Sequence, residues 1–167
     1  MSDTQVNDRN NFNVIYFFDD LHYWASNFAC FRVEYKGVIA WASEFHYMAE
    51  KFEDEVLKKK VYSMSCPHEA KKFAKAHKDK QKENWNEIKD SIMYNIVRAK
   101  LVQNPYIQEK LRLTGEVQII EDSPYDNYWG RGPQGNGLNK LGLIWMKLRN
   151  QLVEGQLNKE IEDYKNI

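Results

Sequence analysis

The chain has 167 residues, which suits one domain with a sizeable core. Its 24 Lys plus Arg balance 24 Asp plus Glu, so no global field recruits nucleic acid or a membrane surface. No apolar run approaches the ~18 residues that cross a bilayer. Two distant cysteines, Cys30 and Cys66, with no secretory segment, read as reduced thiols of a cytoplasmic protein.

Residues 1–11 are polar, rich in Asn and Asp, and read as a disordered lead. A domain is expected over 12–155, followed by a polar C-terminal tail over 156–167. Val14-Ile15-Tyr16-Phe17 reads as a short buried strand. Phe31, Val33 and Tyr35 alternate with polar residues, Lys36-Gly37 turns, and Val38 to Trp41 returns, which predicts a hairpin. From Ser43 the period becomes helical, with Ser43 as N-cap and a helix from Glu44 to about Phe52, continuing towards Tyr62 after a break. Ser65-Cys66-Pro67 opens another helix with Ala70, Phe73 and Ala74 on one face. The basic run from Lys71 to Lys82 reads as a solvated helix face and loop, with contact to phosphate as the alternative. A long helix is predicted over roughly Trp85 to Gln103, with Ile88, Ile92, Ile96 and Ala99 as its core stripe. Asn104-Pro105 breaks it, and a short helix follows from Tyr106 to Leu113. Val117 to Ile120 reads as a strand, and Leu141 to about Leu152 as a closing helix. The fold class is therefore α+β: a single helix-dominated domain with a small β-sheet.

Two stretches carry chemistry. In Asp126 to Gly142, five of the eight glycines alternate with a carboxylate, an indole, a guanidinium and carboxamides. Gly130, Gly132 and Gly135 satisfy a bare G-x-G-x-x-G, but no βαβ pattern frames them, so a dinucleotide fingerprint is not supported. A loop of this kind is either a mobile connector or a binding wall. In the helix from Ser43, Glu44, Met48 and Lys51 share one face at i, i+4, i+7, with Glu44 in the first turn, where the helix N-terminus favours negative charge. The bland alternative is a terminal helix charge and a snorkelled lysine. Aromatics make up 14% of the chain, including five Trp and ten Tyr, which suits pockets that stack on flat ligands. His22, His46, His68 and His77 form no metal-ligand spacing, and neither a metal nor a cofactor is expected.

Several segments, in order, resemble the YbiA-like N-glycosidase family, also called NADAR for its association with NAD and ADP-ribose. Ser26-Asn27-Phe28 resembles its S-N-F. Ser43-Glu44 with Tyr47, Ala49, Lys51 and Phe52 resembles its S-E-H-x-x-Q-A-x-K-F helix. Asn84-Trp85 with Lys89, Met93 and Arg98-Ala99-Lys100 resembles its N-W and R-A-K-F segments. Thr114, Glu121, Asp126, Tyr128-Trp129-Gly130, Gly132, Gly135, Gly137, Asn139, Leu141-Gly142, Met146 and Arg149 resemble its closing signature. The match covers about residues 14–152.

The resemblance implies hydrolysis of a ribose C1′–N bond in a phosphorylated ribosylamine, such as an early riboflavin intermediate, or in an ADP-ribosyl base. The substrate is then a small molecule or ADP-ribosylated nucleic acid, with no membrane partner. It implies Glu44 as catalytic carboxylate and Asp126 as the second, holding ribose hydroxyls or assisting proton transfer. Asn27, Phe28 and Asn139 join the substrate site, Trp129 stacks on the base or closes the pocket, and Lys51 and Lys100 meet phosphate. Gly130, Gly132 and Gly137 let backbone N–H groups approach the ligand, and Trp85 is either core or site. This chain departs from the pattern at Phe45, Met48 and Lys82, where the family usually has His, Gln and Arg. A non-catalytic ADP-ribose or nucleotide module is the alternative reading.

Overall fold

A computed structural model of the chain describes residues 13–19 and 22–166; the expected disordered lead lies outside them. In chain order it forms β1 (Val14–Phe17), β2 (Val33–Tyr35), β3 (Val38–Ala40), α1 (Ser43–Glu50), α2 (Glu55–Tyr62), α3 (Pro67–Ala76), α4 (Trp85–Gln103), α5 (Pro105–Leu113), β4 (Gln118–Glu121), α6 (Lys140–Val153) and α7 (Asn158–Lys165). The fold is α+β. The strands make two separate two-stranded sheets rather than one: β1 pairs in parallel with β4, and β2 pairs with β3 as a hairpin.

Helix α4 is the axis of the domain. Its 19 residues span about 28 Å, and it touches α1, β2, α5, α6 and α7. Ile92, Met93, Ile96, Val97 and Leu101 are buried against Trp145, Leu148 and Leu152 of α6 and Ile107 and Leu111 of α5. Ile88 and Ala99, expected in that stripe, are only partly buried.

Helix α1 stops at Glu50 because the chain is drawn into another contact. Phe52 forms an antiparallel bridge with Gln81, and Lys82 N–H donates to the Lys51 carbonyl at 2.8 Å. Asp54 then caps a fresh helix, its carboxylate accepting from the N–H groups of Val56 and Leu57. Ser43 is the first helical residue of α1, not its cap; Ala42 takes that place without a side-chain bond. The segment read as a polar tail contains α7, which buries Ile161 beside Leu157 and packs on α4.

Lys100 is a structural residue of α4 and corrects the expectation that it meets phosphate. Its side chain is 0% exposed. Its Nζ donates to the carbonyls of Trp24 and Ser26 at 2.7 and 2.8 Å, beneath the faces of Phe31 and Trp145. Trp145 Nε1 donates to the intervening Ala25 carbonyl at 2.9 Å. Three successive carbonyls of one turn are therefore fixed by α4 and α6. Burial pushes the Lys100 amine down to about 7. Lys100→Met leaves two buried carbonyls without their donor, at roughly 1–3 kcal/mol each. Urea unfolding should show a loss on the order of 3 kcal/mol at an unchanged m-value. A loss below about 1 kcal/mol would mean that these carbonyls find other donors.

Candidate active site

The turn held by Lys100 and Trp145 leads directly into Asn27, whose carbonyl accepts the N–H of Glu44 at 3.0 Å. That bond satisfies one of the free N–H groups of α1's first turn and joins the two segments. Glu44, 4% exposed, and Asn27, 5% exposed, face a pocket of about 110 Å³. An apolar cavity of about 150 Å³ holds one benzene, so this pocket takes a single ring rather than a whole nucleotide. Met48 and Lys51 continue the Glu44 face of α1 into its wall, and Phe28, Tyr47, Lys71, Met93, Glu121, Asp126, Trp129 and Leu141 complete it.

The opposite wall is built by β4 and the glycine-rich loop. Asp126 Oδ1 accepts the N–H groups of Tyr128 and Trp129, both at 2.8 Å, which turns the chain and sets the indole. Trp129 meets Tyr47 edge-on, with ring centroids 5.5 Å apart. The loop then folds on itself: Leu138 and Asn139 donate back to the carbonyls of Asn127 and Gly130, and Arg131 N–H to the Glu121 carbonyl.

The three glycines expected to approach the ligand serve this folding instead, and none lines the pocket. A Cβ at Gly137 would lie 2.5 Å from the Gly130 carbonyl oxygen. One at Gly132, where φ is +69°, would lie 1.7 Å from Asn127 Oδ1, and one at Gly130 2.9 Å from the Glu121 carbonyl oxygen. Asn139 is likewise turned to the protein. Its Oδ1 accepts the Glu121 N–H and its Nδ2 donates to the Ile119 carbonyl, clamping loop to strand.

Three carboxyl groups thus share one small pocket. Burial pushes Glu44 up to about 7, with the Asp126 charge adding and Lys71 and Lys51 opposing. Burial pushes Glu121 further, to about 8, with Asp126 and Glu44 adding and Lys71 opposing. Lys51 is lowered, first by burial and then by Lys71 and Lys89 against the pull of Glu44. Its Nζ sits 5.4 and 5.7 Å from the rings of Tyr47 and Trp85. At neutral pH the pocket therefore holds protonated carboxyl and carboxylate side by side, the pair that glycosidic bond cleavage uses. Among the described residues, no group of three or more His, Cys, Asp and Glu could hold a metal ion.

Of the residues expected in the site, the structure brings together Asn27, Phe28, Glu44, Lys51, Asp126 and Trp129. Trp85 is nearly buried under Tyr47, 5.2 Å between rings, outside the lining. Glu121, quoted only within the closing signature, and Lys71, read only as part of a basic run, were not named as site residues. Glu121 sits where a strand normally shows its polar end to solvent, and Lys71 looks like every other lysine of its run; only the tertiary fold separates them. Lys71 Nζ lies 5.4 Å from the Phe28 ring at the pocket edge. The departures also have places. Met48 lines the wall, Phe45 packs on the core, and Lys82 pairs with Glu50 at 3.7 Å. His46 is sealed away from the pocket, with Nδ1 2.9 Å from the Tyr62 hydroxyl and Nε2 3.0 Å from the Val33 carbonyl oxygen.

A family model of the NADAR domain matches residues 16–153. The chain belongs to the NADAR family. It is 32% identical to the N-glycosidase YbiA of Escherichia coli over 128 residues, covering 77% of this chain and 80% of that protein. A riboflavin biosynthesis protein of Vibrio vulnificus is 34% identical over 142 residues, 84% of this chain, which spans only 39% of that relative's length. The solution NMR structure of E. coli YbiA superimposes with a TM-score of 0.80 at 31% identity, covering 87% of this chain and 88% of that one. Among the described residues, no helix is long and apolar enough to cross a membrane.

The crowding of acids has a measurable sign. Glu121 has a folded value of about 8 against an ordinary 4.5, so the folded state holds its proton more tightly than the unfolded chain. Its stabilising effect is complete below about 4.5 and is lost as pH rises through 8. Glu121→Gln removes this dependence. The melting temperature of Glu121→Gln minus that of the unchanged chain should rise steadily from pH 5 to pH 8. A difference that is flat across that range would show Glu121 ionised throughout.

Proposed function

We propose that this chain is an N-glycosidase that hydrolyses the ribose C1′–N bond of a phosphorylated riboside, with Glu44 as its catalytic carboxylate. The observation that carries this reading is the ring-sized pocket in which Glu44, Glu121 and Asp126 converge beside Lys51 and Lys71. The names of the relatives, N-glycosidase and riboflavin biosynthesis protein, support the reaction class, and the family resemblance adds the ribosylamine substrate. An ADP-ribosyl base carries the same C1′–N bond and is the second member of the substrate class.

In this reading the ribose ring fills the pocket and the base and phosphate lie at its mouth. The C1′–N bond breaks with its electron pair passing to nitrogen, which takes up a proton from solvent, balanced by the proton that the attacking water gives up. Positive charge grows at C1′ and O4′, and a desolvated carboxylate close to it is worth far more than the same group in water. Glu44, near half-ionisation at neutral pH, stabilises that charge and accepts a proton from the water whose oxygen bonds to C1′. Asp126, anchored through the Tyr128 and Trp129 N–H groups, holds the sugar. Trp129 walls the pocket towards the base. Lys51 and Lys71 offer point charges to the 5′-phosphate.

The test is release of free base from a 5′-phosphorylated ribosylaminopyrimidine and from ADP-ribosylguanine, followed by chromatography. Glu44→Gln should lower the rate on the better substrate by about 10²-fold or more while leaving thermal unfolding near that of the unchanged chain. A Glu44→Gln rate close to the original would remove the residue from the mechanism. Tight binding without base release would mark a binding module instead.

A further inference from the structure

The hairpin of β2 and β3 has one closed edge and one open edge. Lys36 and Gly37 both take positive φ, 52° and 76°, the two-residue turn that joins twisted antiparallel strands. Beyond the turn Tyr35 faces Val38, Glu34 faces Ile39 and Val33 faces Ala40. Glu34 turns its backbone away from β3. Its N–H donates to Gln103 Oε1 and its carbonyl accepts from Gln103 Nε2, both at 2.7 Å. The carboxamide at the end of α4 thus closes the outer side of β2 as another strand would. Opposed residues of an antiparallel pair point their backbone groups inward together or outward together. Ile39 therefore also points its N–H and carbonyl outward, on the far side of β3, and among the described residues neither group has a partner.

That open edge is apolar. Val38 is 37% exposed, Ile39 51% and Trp41, just past the strand, 62%. Sheet edges are commonly guarded by a charge or a proline, and Val38 to Trp41 carries neither. Residues 1–11 are polar, rich in Asn and Asp, and supply no apolar strand to cover it.

The edge is complementary to itself. About a two-fold axis at Ile39, a second copy sets Ile39 against Ile39, and each N–H donates to the other's carbonyl. The same register sets Val38 against Ala40 of the second copy and Gly37 against its Trp41. A Cβ at Gly37 would meet nothing within 4 Å, so the space over this glycine is open to an indole, as when an aromatic side chain covers an edge glycine. No charge faces a like charge between Gly37 and Trp41. Because Gln103 blocks the other edge of the hairpin, one added copy exhausts it and assembly stops at two.

We propose that the β3 edge is a homodimer interface, in which Ile39 pairs with Ile39 of a second copy and the two hairpins join into one sheet. The proposal is independent of the N-glycosidase reading. So short a joint lies at the small end of protein interfaces, and the affinity is accordingly micromolar.

Sedimentation of the full chain from about 1 to about 200 µM should show a shift from one chain mass to twice that mass. Ile39→Lys sets like charges directly opposite each other and should raise the dissociation constant by about tenfold or more, with an unchanged helical circular dichroism spectrum. The register is read by disulfide formation in a Cys30→Ser/Cys66→Ser background. Ile39→Cys puts two Cα atoms about 5.5 Å apart, within disulfide reach, and should cross-link on mild oxidation. Val38→Cys, two residues out of register with its own copy, should not. A single chain mass throughout the range would overturn the proposal, as would a dimer that Ile39→Lys leaves intact. Equal cross-linking at both positions would overturn the register, and species larger than a dimer would show that a second edge is open. A chain that stays monomeric yet binds an unrelated extended peptide along β3 would replace the second copy with that partner.

Discussion

Crowding three carboxyl groups around a pocket of about 110 Å³ is the constraint on which the rest of the structure depends. Left to themselves, Glu44, Glu121 and Asp126 would spread into water, because burial and mutual repulsion both oppose their charge. The fold prevents this by fixing each from its backbone. Glu44 is tied to Asn27, Glu121 to Asn139 and Arg131, and Asp126 to the N–H groups of Tyr128 and Trp129. Those ties rest in turn on α4 and α6, which fix the carbonyls of Trp24, Ala25 and Ser26 through Lys100 and Trp145. The result is a site in which Glu44 and Glu121 keep protons near neutrality, first because they are buried and then because neighbouring acids cannot move away.

The helices were legible where periodicity and breakers agree. The helix read at roughly Trp85 to Gln103 is α4, because its apolar stripe is long and Asn104-Pro105 ends it. α1 and α2 were harder, since what ends α1 is a bridge from Phe52 to Gln81 that local periodicity does not contain. α7 was missed because one buried isoleucine in a polar stretch is too weak a stripe to read. The single expected sheet became two because β4 returns to β1 while the hairpin packs on α4.

The site was legible in part, and for a definite reason. Glu44, Met48 and Lys51 share a helix face, a relation that spacing alone expresses, and that face lines the pocket. Glycine content pointed to the right loop with the wrong purpose: its glycines let the loop close on itself and aim Asp126 and Trp129. Lys100 was placed against phosphate by the family resemblance, whereas here carbonyl dipoles and aromatic faces surround it. Glu121 gave no local signal, being a carboxylate at the end of a short strand. The departures from the family pattern separate in the same way. Met48 replaces a polar wall atom with a thioether in the pocket itself, whereas Lys82 is occupied by Glu50.

The central claim is that Glu44 and Glu121 titrate as members of one buried cluster. It is tested most directly by following the side-chain carboxyl carbons of both residues by NMR as pH is raised from 4 to 9. The account predicts two coupled steps with midpoints near 7 and 8. Both residues titrating near the ordinary carboxylate range of about 4 would contradict it, because Glu44 and Glu121 would then be independent, solvated charges.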